Sequence, residues 1–479
     1  MQKLSVAGLL LWLAAALPES VRAQYAYTTN NGAITITQYT GPGGVVSLPS
    51  SIDNLPVTSI GDFAFYAQSN VTAVMVPVGV TNIGFEAFFA CARLSSVTLS
   101  KSVARIGDWA FQDCTNLVTI NVDSSNGLYS SVDGVLFDKN QLTLVAYPGG
   151  KAGSFVVPGN TLNIGVGAFG GSFGLTSVWL SDSVTNVSDS AFYSCSRLAS
   201  VTISNGVRSI GNSSFYSCLN LTNVELGQQV TQIGDYAFAS CGALTRASIG
   251  PAVVSIGYGA FSGSGIITLA IPNSLKSMGD AAFEYCSNLA SVVIGNSLTA
   301  IPNFAFDACD HLTRVALGDS VSSIGVNAFG RCTRLTSLTI PGAVTNIGDA
   351  AFLNCTSLRT VYFLGNAPAV SRDSFSGDNQ TTILYFPLAK GWSEGFSGLP
   401  TAPMNLHATE DSNFGIATGR FGFNVVGPTN LVIVVEASED LAASTWTPLR
   451  TNTLTFGTVY FADAGWTNHA HRFYRLRLQ

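Results

Sequence analysis

The chain has 479 residues, 47% apolar and only 10% charged, with 22 basic against 28 acidic side chains and a net charge of −6. That length allows a large core and more than one domain, while the low charge leaves Ser, Thr, Asn and Gly to solvate the surface. The acidic balance excludes the clustered Lys and Arg of a nucleic-acid or anionic-membrane footprint, so no nucleic acid is expected as a partner.

Residues 1–23 read as an export signal. Lys3 supplies the charged start, Leu4 to Leu17 an apolar run too short to span a bilayer comfortably, and Val21-Arg22-Ala23 a small-residue cleavage site. No Cys near that site would take a lipid, and no later apolar run reaches spanning length. The mature chain is therefore expected to be secreted or held at the cell surface, with no transmembrane segment. Residues 24–59 are strand-like, carry NNG and GPGG turns, and are placed to cap an open end.

From Ile60 onward one phrase repeats in steps of 23 residues, opening at Ile60, Ile83, Ile106, Ile164, Val187, Ile210, Ile233, Ile256, Met278, Ile301, Ile324, Ile347 and Val370, with one step a residue short (Ile256 to Met278) and one carrying an insertion (Ile106 to Ile164). Phe stands five residues after every opening, from Phe65 to Phe375. An aliphatic, usually Leu, stands eleven residues after, as at Leu198, and L-x-x-[VIL]-x-[IL] follows with the alternation of a half-buried strand. Pro or Gly often makes the next corner, as at Pro341 and Gly318. Asp after the opening I-G, as at Asp62, Asp108 and Asp235, is expected to cap a short helical turn carrying A-F-x-x-C. Units this short cannot bury their own apolar face and must stack, so residues 60–376 predict a solenoid of about 13 coils, roughly 60 Å long at about 4.8 Å per strand. The step from Ile106 to Ile164 carries an insertion at 123–158, whose VDGVLFDKNQLTLVAYP reads as a hairpin turning at Asp138-Lys139-Asn140.

All nine Cys fall eight residues after an opening aliphatic and form one column, Cys91 to Cys355. Neighbours in such a column point alongside rather than toward each other, so buried, reduced thiols are expected instead of disulfides. A linear column without His cannot supply tetrahedral metal ligands. Beyond the repeats, residues 377–400 carry Trp392 and Phe396 in a closing cap, 401–411 read as a polar linker, and 412–479 alternate like a small all-β sandwich.

The phrase I-G-x-x-A-F-x-x-C-x-x-L-T-S-V-x-I-P resembles the BspA-type leucine-rich repeats of bacterial and protist surface proteins, from about Tyr27 to about Pro400. It departs from the general leucine-rich consensus by placing Cys before the strand. The resemblance implies a right-handed repeat solenoid with a parallel β-sheet, and an insertion of this kind recurs in that family. The segment ending FYRLRLQ resembles small C-terminal β modules of large secreted proteins from environmental bacteria, which carry no agreed activity.

No nucleophile elbow, metalloprotease helix, phosphate-binding loop or dinucleotide fingerprint is present, so no catalytic residue, cofactor or metal is implied. Of the four His, His311 occupies a variable repeat position, and His469 with His471 on one strand face makes too few ligands for a metal. Function must come from surfaces. On the main strand the residues between the buried aliphatics point outward, and most are Ser or Thr. Trp179, Glu225, Arg246, Arg314 and Tyr362 break that monotony and are the candidate ligand-binding residues. The reading is a non-enzymatic, monomeric protein that binds an extracellular protein or glycan along this face. The alternative makes the solenoid a spacer and gives binding, surface attachment or enzymatic work to the C-terminal β domain.

Overall fold

The structure, a computed structural model, describes residues 24–478 apart from 372, 388, 418, 428–431, 444 and 455–457. The expected export signal lies outside the described residues. The repeats form a parallel β-solenoid of about 15 turns. One wall is the main sheet, in which successive strands pair in register, for example Ser177↔Ser200, Asn223↔Arg246 and Ser291↔Arg314. A second wall is built from two-residue strands that include the opening aliphatic, such as Asn186–Val187 against Ser209–Ile210.

The third wall corrects the expected helical turn. A-F-x-x-C is a run of linked β-turns, because the third and seventh residues after the opening aliphatics from Ile60 to Ile347 adopt left-handed backbone, as at Ser213 (φ 50°) and Ser217 (φ 58°). That geometry breaks a right-handed helix and turns every second N–H toward the next coil. Ser213, Phe215 and Ser217 donate to the carbonyls of Asp235, Ala237 and Ala239 at 2.7–2.9 Å. The alternate donors close turns within the coil, such as Tyr216 N–H to the Ser213 carbonyl at 3.1 Å. The Asp column serves this ladder and caps no helix. Asp189 Oδ1 accepts the Asn212 N–H at 2.7 Å, Asn212 Oδ1 the Asp235 N–H at 2.8 Å, and Asp235 Oδ1 the Tyr258 N–H at 2.7 Å. Asn substitutes freely because the bond needs only one acceptor oxygen.

Inside the walls the Phe column is a stack of rings. Phe192, Phe215 and Phe238 lie 4.9 and 5.0 Å apart by centroid and within 5° of parallel. Each adjacent Cys is buried and unpaired, and its Sγ–H donates to the carbonyl of the Phe one coil earlier: Cys218 to Phe192 at 3.2 Å, Cys241 to Phe215 at 3.1 Å. Burial pushes Cys195 and Cys241 up to about 12.

The insertion differs in detail from its sequence reading. Tyr129–Val132 and Val135–Asp138 form a hairpin that turns at Asp133-Gly134, both with positive φ. The expected turn after Asp138 is a second one, leading into Thr143–Ala146. That strand pairs with Asn163–Ile164, and Gly153–Val156 pairs with Leu175–Trp179, so residues 143–156 are a shortened coil of the solenoid itself. Tyr147 takes the ring position and lies 5.0 Å from Phe169, tilted by 30°. The strand Val135–Asp138 divides the interior: Leu136 packs with the N-terminal core, Val135 and Phe137 with the C-terminal one.

At the N-terminal end Tyr25–Asn30 and Ala33–Tyr39 form a hairpin, and Tyr39 stacks on Phe65 at 4.9 Å. At the other end Leu399–Pro403 joins the main sheet beside Thr382–Tyr385. His407–Thr409 already pairs with Arg420–Val426 in the next domain. The expected linker therefore shrinks to the few residues between 403 and 407. The C-terminal domain is two antiparallel sheets around Phe423, Val425, Ile433 and Phe461. In it Glu436 is held by Arg475 and Arg477, each at 2.7 Å.

Three outcomes test this architecture. Phe238→Ala removes one ring from the middle of the stack and should cost about 3–5 kcal/mol in chemical denaturation; an unchanged midpoint would show that the rings do not carry the fold. A thiol reagent without reductant should label all nine Cys after unfolding but few in the native protein; recovery of only one or two labels would reveal disulfides. Asp378 stands where the column expects Cys, buried with neither carboxylate oxygen bonded, and desolvation raises it from 3.8 to about 7. The folded protein then binds the extra proton between those values, so stability falls as pH rises from about 4 to about 7. Asp378→Cys should melt higher than the native chain at pH 8 and lose that advantage by about pH 4; parallel pH profiles would contradict this.

Candidate functional site

The main-sheet face away from the core is where the sequence places its candidate residues, and the structure separates them. Val178 is buried while its neighbour Trp179 is 48% exposed, as strand alternation requires. Trp179 pairs in register with Val156, itself 65% exposed, and with Thr202 on its other side. The two apolar side chains form one patch at the first strand of the C-terminal stretch of sheet. Val156 was missed because it lies inside the apparent insertion. Its signal was legible, since Phe155-Val156-Val157-Pro158 repeats the pattern of Leu338-Thr339-Ile340-Pro341.

Arg246 lies three strands from Trp179, beyond the strands of Thr202 and Glu225, a separation of about 15 Å. Arg314 lies about the same distance further on. Glu225 and Arg246 sit on neighbouring strands, diagonal to each other across the Asn223↔Arg246 pair. All three charged residues are exposed. They make a spaced row along the axis rather than one pocket, suited to an elongated ligand.

Tyr362 does not belong to that row. It points outward from the sheet as expected, but the C-terminal domain covers it: only 7% exposed, it packs with Met404, Phe423 and Val425. Burial pushes its phenol up. Leu384, its register partner, packs into the same cluster. The outward face is thus covered at its last coils, and Tyr362 anchors a domain instead of a ligand.

Among the described residues no group of three His, Cys, Asp or Glu side chains is placed to hold a metal. His469 and His471 precede the last strand, Phe473–Leu478, rather than sharing its face, and His469 is bonded to Glu439. His311 is exposed and its Nδ1 lies 2.7 Å from the Ser287 carbonyl. No described helix is long and apolar enough to cross a membrane.

Comparison with known proteins agrees with this geometry. No curated protein sequence matches the chain. Among solved structures, a leucine-rich repeat protein from Bacteroides ovatus is 25% identical with a TM-score of 0.51, the match covering 79% of this chain and 98% of that one. A leucine rich cell surface protein from Faecalibacterium prausnitzii is 19% identical with a TM-score of 0.35, covering 79% and 96% respectively. The profile of the BspA type leucine rich repeat region matches residues 47–152, 145–267 and 254–382. With the Phe, Cys and strand columns running through most of its length, the chain belongs to the BspA-type leucine-rich repeat family.

Proposed function

We propose that the protein is an exported, non-enzymatic binding protein that engages an extracellular protein or glycan along the outward face of its main sheet. The observation that carries this reading is the patch of Trp179 and Val156, two large exposed apolar side chains side by side on a wall where Ser and Thr are the commonest outward residues and where Met75 and Val293 are exposed on other strands. A hydroxyl-lined strand can align a ligand through hydrogen bonds but offers little desolvation energy. An exposed indole beside an aliphatic side chain supplies it, and suits either an apolar side chain or the face of a sugar ring. Arg246 and Arg314 add charge-assisted donors further along the same wall. The covered position of Tyr362 directs the ligand to the coils before it. Localisation outside the cell fits the expected export signal.

The test begins with an array of glycans and extracellular-matrix proteins probed with the full chain. For a ligand found there, Trp179→Ala should weaken binding by roughly 30-fold and Arg246→Ala by roughly fivefold, as expected for anchor residues worth about 2 and about 1 kcal/mol. Ser337→Ala, exposed on the same face, should change nothing. If both anchor variants bind like that control, the face is only a wall, and binding belongs to the C-terminal domain or another surface.

A further inference from the structure

A shallow groove runs along the corner between the short-strand wall and the turn wall, over the coils opened by Val187, Ile210, Ile233 and Ile256, with a volume of about 570 Å³. At about 4.8 Å per coil it is about 14 Å long. Its floor is largely main chain, because the residue after the opening aliphatic is Gly in three of these four coils. A Cβ on Gly257 would lie 2.4 Å from Asp235 Oδ1, so the Asp ladder itself requires this bareness. The groove is thus a property of the repeat, and only its side chains can make part of it a site.

One bank carries the residues before the opening aliphatics, among them Ser209, Gln232 and Ser255; the other carries Asp189, Asn212 and Asp235. Over the first coils these groups serve each other. Ser209 Oγ–H donates to Asn186 Oδ1 at 2.8 Å, and Asn212 Nδ2–H to Asp189 Oδ2 at 3.4 Å. Over the last coils they do not. The side chains of Gln232 and Ser255 make no hydrogen bond among the described residues, and Asp235 engages only Oδ1, on the Tyr258 N–H at 2.7 Å. Gln232 and Asp235 are exposed and Ser255 is half-buried. In the coil that ends the groove, Tyr258 replaces the Asp of the column, and its ring meets that of Tyr236 at 5.1 Å and 70°. The two rings are 46% and 39% exposed.

We infer that this end of the groove binds a neutral glycan chain, at a site separate from the outward face of the main sheet. Sugar hydroxyls both donate and accept, which suits an amide, a hydroxyl and a carboxylate oxygen left without partners on two adjacent coils. In an edge-to-face pair of rings, the one that offers its edge keeps its faces clear of the other, and such a face fits the apolar side of a sugar ring. The only charged groups lining the groove are Asp189 and Asp235, so an anionic chain is repelled. Those two carboxylates lie two coils apart, about 10 Å, too far to share one cation. A protein segment would find no apolar pocket for an anchor, since Ile210, Ile233 and Ile256 are buried in the core.

Calorimetric titration of the full chain with hexasaccharides of β-1,4-linked glucose, xylose and mannose tests the site. At least one should bind with a Kd below about 1 mM, whereas hexagalacturonate and hexalysine should not bind. For a glycan that binds, Tyr258→Ala should weaken the complex about tenfold, Tyr258→Phe at most about twofold and Gln232→Ala about fivefold. Trp179→Ala, on the main sheet, should bind as the native chain does. Failure of all three hexasaccharides would overturn the proposal, as would equal binding of hexagalacturonate or hexalysine. So would native affinity in both Tyr258→Ala and Gln232→Ala, or a loss confined to Trp179→Ala, which would move the glycan to the sheet.

Discussion

Each coil depends on a contact it cannot make alone. A unit of 23 residues places one Phe and, in most units, four or five aliphatics inward, too little to close a core, and every second N–H of its turn wall points out of the coil altogether. Both needs are met only by another coil in the same register. Ring stacking, the Cys-to-carbonyl bonds and the Asp–N–H bonds all repeat along one axis, so satisfying one column fixes the offset for the rest. This explains why the period is kept so strictly, and why the ends need special pieces: a Tyr39 ring at one end, the Leu399–Pro403 strand at the other.

Much of this was legible because the columns are chemically distinct. Phe, Cys and the alternating strand each recur at a fixed offset, and burial follows directly. The turn wall was not legible as such. Its left-handed positions are filled by Ser213, Tyr236, Arg331 and Asn354 as readily as by Gly167, so no local residue preference marks them. What holds them is a bond to a residue one coil away, which short-range helix-capping rules do not consider. Asp at a fixed place before Ala-Phe imitates a helix start because in both settings it accepts a backbone N–H; only the owner of that N–H differs.

The candidate site shows the same division. Strand alternation correctly aims Trp179, Glu225, Arg246 and Arg314 outward. It also aims Tyr362 outward, and no pattern within the repeat reveals that another domain lies on top of it. The ending of the repeat was the available hint: Tyr362 and Leu364 carry large apolar side chains on a wall that elsewhere favours Ser and Thr.

Strict repetition also restricts where function can reside. Core columns are committed to stacking, and the walls are saturated by their neighbours, so a ligand can compete only where a side chain departs from the pattern or where a neighbour is missing. The junction around residues 123–158 supplies both. On the sheet side the shortened coil begins a new stretch of strands and exposes Val156 beside Trp179. On the turn side the same shortening strips the partners from Trp109, Phe111 and Asp113. One length change in an otherwise regular stack thus creates an apolar patch on one wall and unpaired backbone on another. A hairpin whose Val135 and Phe137 face one core and whose Leu136 faces the other keeps the two halves joined. The interruption is the least repetitive part of the solenoid.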